Sequence, residues 1–162
     1  MNDYILMQTA LVELVIVANE HSIIGLYPQT HALYQRAIAE NTPASTDILL
    51  DAMAQLQQYF AKQRTQFELP LAPQGTKFQM RIWQELQHIP HGTTTNYGEI
   101  ANRTNNNQAH RAVGTAIGRN PISIIIPCHR VIRSNGSISG YAGGINMKQS
   151  LLSHEKNLPY FL

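Results

Sequence analysis

From Leu11 to Ala18 the chain alternates or runs apolar, and a second apolar run follows from His21 to Tyr27 after an Asn19-Glu20 turn, which predicts two neighbouring strands. Farther on, Leu49, Met53, Leu56 and Phe60 recur at helical spacing behind Ser45 or Thr46 as the capping residue, so a helix packs on that small sheet. The stretch Leu69-Pro70-Leu71-Ala72-Pro73-Gln74-Gly75 then breaks all periodicity and reads as a linker. These patterns divide the chain into an N-terminal α/β lobe, residues 1–69, and a second lobe, residues 70–162.

The second lobe is mostly helical by pattern. Phe78, Ile82, Trp83 and Leu86 mark one face of a helix over Thr76 to Gln87, ended by Pro90-His91-Gly92. Asn96 with Glu99 forms a capping box for a short helix through Ile100 and Arg103. Asn105-Asn106-Asn107 makes a turn, and Gln108 to Arg119 forms the next helix. Two short helices joined by a few polar residues are the helix-turn-helix pattern. Its second helix is rich in small residues, Ala109, Ala112, Gly114, Ala116 and Gly118, with Arg111 the only long side chain in its first turns. Such a helix either packs closely on a neighbour or approaches a narrow DNA groove with one arginine projecting. Ile122 to Ile126 reads as a buried strand stopped by Pro127, which leaves Cys128 at a strand end.

Composition is that of a globular protein, 43% hydrophobic and 14% charged, without repeats or low-complexity tracts. At 162 residues the chain is long enough for a real core. No Lys or Arg precedes Arg36, and Asp3 and Glu13 interrupt the apolar start, so neither a signal peptide nor a membrane span is expected and the cytoplasm is the expected location. The net charge of +2 hides a division. Up to Glu68 there are three basic against seven acidic residues, and beyond it nine against three. A basic second lobe suits a polyanion, although a solvated basic face has the same composition.

Cys128 is the only cysteine, which excludes an intramolecular disulfide and a thiolate cage for a metal. A lone thiol is either an inert core residue or a single-sulfur nucleophile. Polar, aromatic and glycine residues crowd the positions after it, a poor core composition. In a strand His129 would face away from Cys128, so the two pair through a backbone turn or a bridging water. Glu155, on the segment Lys148 to Glu155, is the candidate that orients the imidazole, or else a solvated carboxylate at a helix end. Asn135 to Gly144 holds four glycines around Tyr141 and reads as a loop able to stack a flat ligand.

Taken together, Pro127-Cys128-His129-Arg130-Val131, Asn120-Pro121, Arg111-Ala112-Val113-Gly114, Gly140-Tyr141-Ala142-Gly143-Gly144 and His154-Glu155 resemble the O6-alkylguanine-DNA alkyltransferases. The resemblance covers Phe78 to Glu155 and is weaker in the first lobe. It implies a ribonuclease-H-like first lobe, a winged-helix-like second lobe, and a short strand bearing the active-site cysteine. The implied activity is DNA repair by irreversible, single-turnover transfer of an alkyl group, chiefly methyl, from O6-alkylguanine, less readily O4-alkylthymine, to Cys128. In the implied roles His129 is a water-mediated base oriented by Glu155, Asn120 ties the helix-turn-helix to the active-site segment, and Tyr97 crowds the target phosphate and donates to the guanine ring. Arg111 enters the duplex stack, with Ala109, Ala112 and Gly114 against DNA. Tyr141, Gly140 and Ala142 form a lid, and the backbone near Cys128 and Val131 accepts from the exocyclic amine. Double-stranded DNA containing the lesion is the expected partner of a monomer without cofactor or metal.

The sequence also departs from its relatives. His110 and Thr115 stand where many of them have alanine or glycine, and Ala142 where some have serine. The zinc site that some members build in the first lobe cannot be assembled in the same form from one cysteine. The rivals are a non-catalytic helix-turn-helix protein that binds DNA or senses lesions, and a Cys-His hydrolase.

Overall fold

The computed structural model describes residues 2–156. Its N-terminal sheet has four strands in the order β3-β2-β1-β4. Strands β1 (Asp3–Gln8), β2 (Glu13–Ala18) and β3 (Ile23–Pro28) form an antiparallel meander, and the two-residue β4 (Thr42–Pro43) pairs parallel to β1. Both expected strands are present, each shorter at its start. The turn between them is closed by Asn19 Oδ1, which accepts from the backbone N–H of His21 and Ser22. Strand β1 has no counterpart in the sequence reading, because Asp3 and the exposed Leu6 break its alternation.

Helix α1 (Tyr34–Ala39) covers one face of the sheet and α2 (Asp47–Phe60) the other. Leu14, Ile16 and Ala18 of β2 join the main core, while Val15 and Val17 pack with Tyr34 and Ala37 of α1. A strand buried on both faces reads as a continuous apolar run. On α2, Leu49, Leu56 and Tyr59 are fully buried. Thr46 stands at its N-cap position, but its hydroxyl makes no capping bond.

Among the described residues the outer edge of β3 carries no further strand. Two single-residue bridges cover it, and both come from outside the sheet. Ile23 exchanges backbone bonds with Pro70 and Ala72 of the linker, at 2.8 and 2.9 Å. Leu26 donates to the Pro121 carbonyl at 2.9 Å and accepts from the Ser123 N–H at 3.0 Å. The expected linker is thus pinned to the sheet, and so is the segment that leads to Cys128.

In the second lobe α3 (Lys77–Leu86) begins with a complete capping box between Thr76 and Gln79. The two-residue β5 (Thr95–Asn96) leads into α4 (Tyr97–Arg103), capped by Asn96 Oδ1 on the Glu99 N–H at 2.8 Å. After a turn in which Asn105 takes a left-handed φ of 58°, α5 (His110–Gly118) completes the expected helix-turn-helix. Trp83 of α3 donates its indole N–H to the Ala116 carbonyl of α5 at 2.8 Å. Gly75 lies on the same indole, where a Cβ would fall 2.5 Å from the ring.

The isoleucine run is not the strand that its composition predicts. Residues 122–126 form tight turns, with Ile124 at φ 71°, Ile125 N–H on the Ser123 carbonyl and Ile126 N–H on the Ile122 carbonyl. All five side chains are buried, so β-branched composition reported burial and not extension. The short strand comes later as β6 (Val131–Ile132), parallel to β5, and Cys128 opens the 3-10 turn Cys128–Arg130 that runs into it. Helix α6 (Ile145–Glu155) ends the described chain. Among the described residues no helix is long and apolar enough to cross a membrane.

Replacing Trp83 with phenylalanine removes the indole bond to α5 and part of a buried ring. The expected loss is about 1–3 kcal/mol of unfolding free energy. Urea denaturation of the variant against the parent checks it, with an unchanged midpoint as the contrary result.

Candidate active site

Cys128 is buried, and its sulfur accepts a hydrogen bond from Asn120 Nδ2 at 3.1 Å. The same amide nitrogen donates to the Ile126 carbonyl at 2.7 Å, while Asn120 Oδ1 accepts from the Ile122 N–H at 2.9 Å. One side chain therefore holds the isoleucine turns in shape and aims a donor at the thiol. Asn120 follows directly on α5, so this amide links the end of that helix to the segment that carries Cys128. Burial pushes the Cys128 thiol up, opposed by the Asn120 bond and by the charge of Lys148.

The 3-10 turn resolves the relation of Cys128 to His129. No direct bond joins them. His129 is fully buried, with Nε2 2.7 Å from Glu155 Oε2 and Nδ1 without a partner among the described residues. Glu155 is buried as well and is no solvated helix end. Arg130 grips it with two bonds, Nε to Oε1 at 2.7 Å and Nη2 to Oε2 at 3.0 Å, and Tyr59 adds its hydroxyl to Oε2 at 2.8 Å. Burial alone would raise the Glu155 carboxyl, but His129 and Arg130 outweigh it and hold the group well below the ordinary carboxylate range. Burial pushes the His129 imidazole down, against the pull of Glu155. Arg130 already supplies a permanent charge for Glu155. The imidazole is then neutral, donates Nε2–H to Glu155, and keeps the Nδ1 lone pair free to take a proton.

A cavity of about 40 Å³ adjoins the sulfur, lined among others by Tyr97, Asn120, Cys128, Gly140, Tyr141 and Ala142. The Tyr97 hydroxyl lies 3.3 Å from Ser139 Oγ. Tyr141 is half-buried with its hydroxyl enclosed, and burial raises that hydroxyl well above the usual phenol range. Lys148, from α6, donates to the Val131 carbonyl at 2.6 Å and the Ser139 carbonyl at 2.9 Å. Burial pulls its ammonium down to about 8, with the Cys128 sulfur acting the other way. Val131, the remaining predicted residue, is buried at the start of β6.

Helix α5 packs with one face and leaves the other open. Val113, Ala116 and Ile117 face inward, while Arg111, Ala112, Thr115 and Gly118 are exposed. Ala109 is half-buried at the N-cap, and Gly114 lies against Tyr97. Thr115 turns its hydroxyl back onto the Arg111 carbonyl at 3.0 Å, and His110 is exposed. His21 is exposed beside Glu20, and the half-buried His31 accepts from the Leu33 N–H, so neither belongs to the site. Among the described residues no three His, Cys, Asp or Glu side chains are placed to hold a metal.

Sequence reasoning did not single out Tyr59, Arg130 or Lys148. The first had only a core signal, although Lys148 stands seven residues before Glu155 and so on the same helix face. Arg130 adjoins Cys128-His129 but carried no pattern of its own.

Two family models match. That of the 6-O-methylguanine DNA methyltransferase ribonuclease-like domain covers residues 3–73, and that of its DNA binding domain covers 77–157. A methylated-DNA–protein-cysteine methyltransferase of Methanosarcina mazei is 50% identical over 111 residues, 68% of this chain and 70% of that one. One from Mycobacterium tuberculosis is 52% identical over 106 residues, 65% and 64% of the two chains. The crystal structure of M. tuberculosis OGT in complex with DNA superposes with a TM-score of 0.87 at 40% identity, covering 96% of this chain and 93% of that one.

Glu155→Gln leaves Arg130 buried without its carboxylate and is expected to cost about 3–5 kcal/mol of stability. Both Glu155 and His129 have folded values below their unfolded ones, so in acid the unfolded chain is the better proton acceptor. From neutral pH downward the parent should weaken as the pH falls below 6.5 through His129, and weaken further below 4.5 through Glu155. Urea midpoints measured from neutral to acid pH check this. The second decline should flatten in Glu155→Gln.

Proposed function

The chain belongs to the 6-O-methylguanine DNA methyltransferase family, and on that premise we propose that it repairs double-stranded DNA by moving an alkyl group, chiefly methyl, from O6 of guanine to Cys128 in one irreversible turnover. The observation that carries the reading is the sulfur of Cys128, held by an Asn120 donor at the wall of a cavity between Tyr97 and Tyr141. O4-alkylthymine is the slower substrate.

The cavity beside the sulfur has room for about one water and none for a purine. The damaged nucleotide leaves the stack at a cost of a few kcal/mol, least for a mispaired base. Arg111, exposed between small residues on α5, fills the space left in the duplex, with Ala109, Ala112 and Gly114 along the approach. The lid residues Gly140, Tyr141 and Ala142 cover the extruded base. Its exocyclic amine donates to the backbone near Cys128 and to the Val131 carbonyl, at the lone pair that Lys148 leaves open.

The thiol proton passes through a bridging water to His129 Nδ1, whose tautomer Glu155 fixes through Nε2. Thiolate attack forms the S–C bond in line as the C–O6 bond breaks. The oxygen keeps the electron pair, and the guanine anion takes a proton from the Tyr97 hydroxyl, which is restored through water by the proton that His129 received. The product is a thioether on Cys128. The only thiol is then spent, and no second cysteine exists to regenerate it.

In this reading the lobes divide at the linker, as residues 1–69 and 70–162. The protein works as a cytoplasmic monomer that needs no cofactor. The non-catalytic alternative lacks support, because a lesion sensor has no use for a donor aimed at a thiol.

Incubation with duplex DNA bearing O6-methylguanine should add one methyl group per chain by intact mass, and Cys128→Ala should add none. An unchanged parent mass at saturating DNA overturns the proposal. Arg111→Ala should slow methyl transfer from duplex by about tenfold or more while transfer from the free alkylated base stays at the parent rate. Equal slowing with both substrates contradicts the role in the stack.

A further inference from the structure

We propose that the N-terminal lobe sets the width of the acceptor cavity through Thr30, a positioning residue for the lid that decides which alkyl groups Cys128 accepts. The inference rests on the function proposed above.

The lid is held at two points. On the inner side Lys148 donates to the Ser139 carbonyl, and Ser139 Oγ meets the Tyr97 hydroxyl. On the outer side the holding groups come from the other lobe. Thr30, two residues after the end of β3, donates its hydroxyl to the Gly143 carbonyl across 113 positions of sequence. Gly143 is buried between Tyr141 and Pro28, the last residue of β3. A Cβ added there would fall 2.7 Å from the Tyr141 ring and 2.9 Å from Pro28 Cγ. Gly144 closes the turn with its N–H on the Tyr141 carbonyl at 2.8 Å and a φ of 98°. The Tyr141 ring, one wall of the cavity, is thereby braced from behind, through Gly143, by the end of β3.

A cavity of about 40 Å³ admits a base and its alkyl group only if that wall retreats. How far it retreats is limited by the contact behind it. Methyl asks for the smallest displacement and a benzyl group for a large one. The Thr30 bond therefore opposes bulky substrates more than small ones. Valine at position 30 keeps the shape and loses the donor, whereas serine keeps the donor.

Single-turnover alkyl transfer to Cys128 is measured by intact mass with duplexes carrying O6-methylguanine or O6-benzylguanine. Thr30→Val should raise the benzyl-to-methyl rate ratio by about fivefold, the rate equivalent of one ordinary hydrogen bond. Thr30→Ser should keep the parent ratio. Hydrogen exchange gives a second reading in the free protein: the Gly144 amide should exchange faster in Thr30→Val, and the β2 amides at the parent rate. A ratio unchanged in Thr30→Val, or one shifted equally in Thr30→Ser, overturns the inference, as does unchanged exchange at Gly144. A parent that accepts no methyl group would instead count against the function proposed above.

Discussion

A carboxylate with 1% of its side chain exposed is tolerable only if its charge is met on every side, and Glu155 is met by groups from both lobes. Tyr59 comes from the helix under the N-terminal sheet. His129 and Arg130 come from the turn that carries Cys128. Arg130 gives a third donor, Nη1, to the Ile89 carbonyl at 2.7 Å, which ties down the loop after α3. Since an unpaired member of this cluster would be a buried charge or an orphaned donor, each element must arrive in one position. The charge network thus fixes the seating of one lobe on the other and, in the same step, the imidazole tautomer beside the thiol.

The second constraint is conformational. The chain must pass from the helix-turn-helix to Cys128 in a few residues while staying attached to β3. It does so through tight turns that place Ile124 in the left-handed region, costly for a β-branched side chain. Asn120 offsets that cost with three hydrogen bonds. Two hold the turns, and the third reaches the sulfur. Folding and chemistry share one amide here, so no substitution at Asn120 separates them cleanly.

Much of this was legible in the residues because it follows local rules. The Asn96 cap on Glu99, the apolar faces of α2 and α3 and the proline-rich crossing each depend on neighbours in sequence. What was not legible depends on partners far away. Strand β1 is amphipathic only in part, and its place comes from pairing with β2. The isoleucine run has strand composition and turn geometry, because the bridge to Leu26 and the Asn120 amide override propensity. Tyr59 looks like one more core aromatic until Glu155, 96 positions away, is placed against its hydroxyl. Recognising the motif around Cys128 supplied the partners of the sulfur but not the groups that hold those partners.

The electrostatics around Cys128 bear on why a single thiol suffices. Burial raises it, and Asn120 and Lys148 lower it, with burial the larger effect. A thiol kept protonated and shielded is a poor target for oxidants and stray electrophiles, since the thiolate is the reactive form. An acceptor that is consumed once benefits from this reluctance. In the proposed reaction its reactivity is produced by the arrangement around the bound lesion, where His129, whose Nδ1 has no partner among the described residues, supplies the missing base. Isolation of the sulfur and pairing of Glu155 are then two halves of one arrangement: the first shields the thiol at rest, and the second orients the imidazole that the proposed reaction uses as its base.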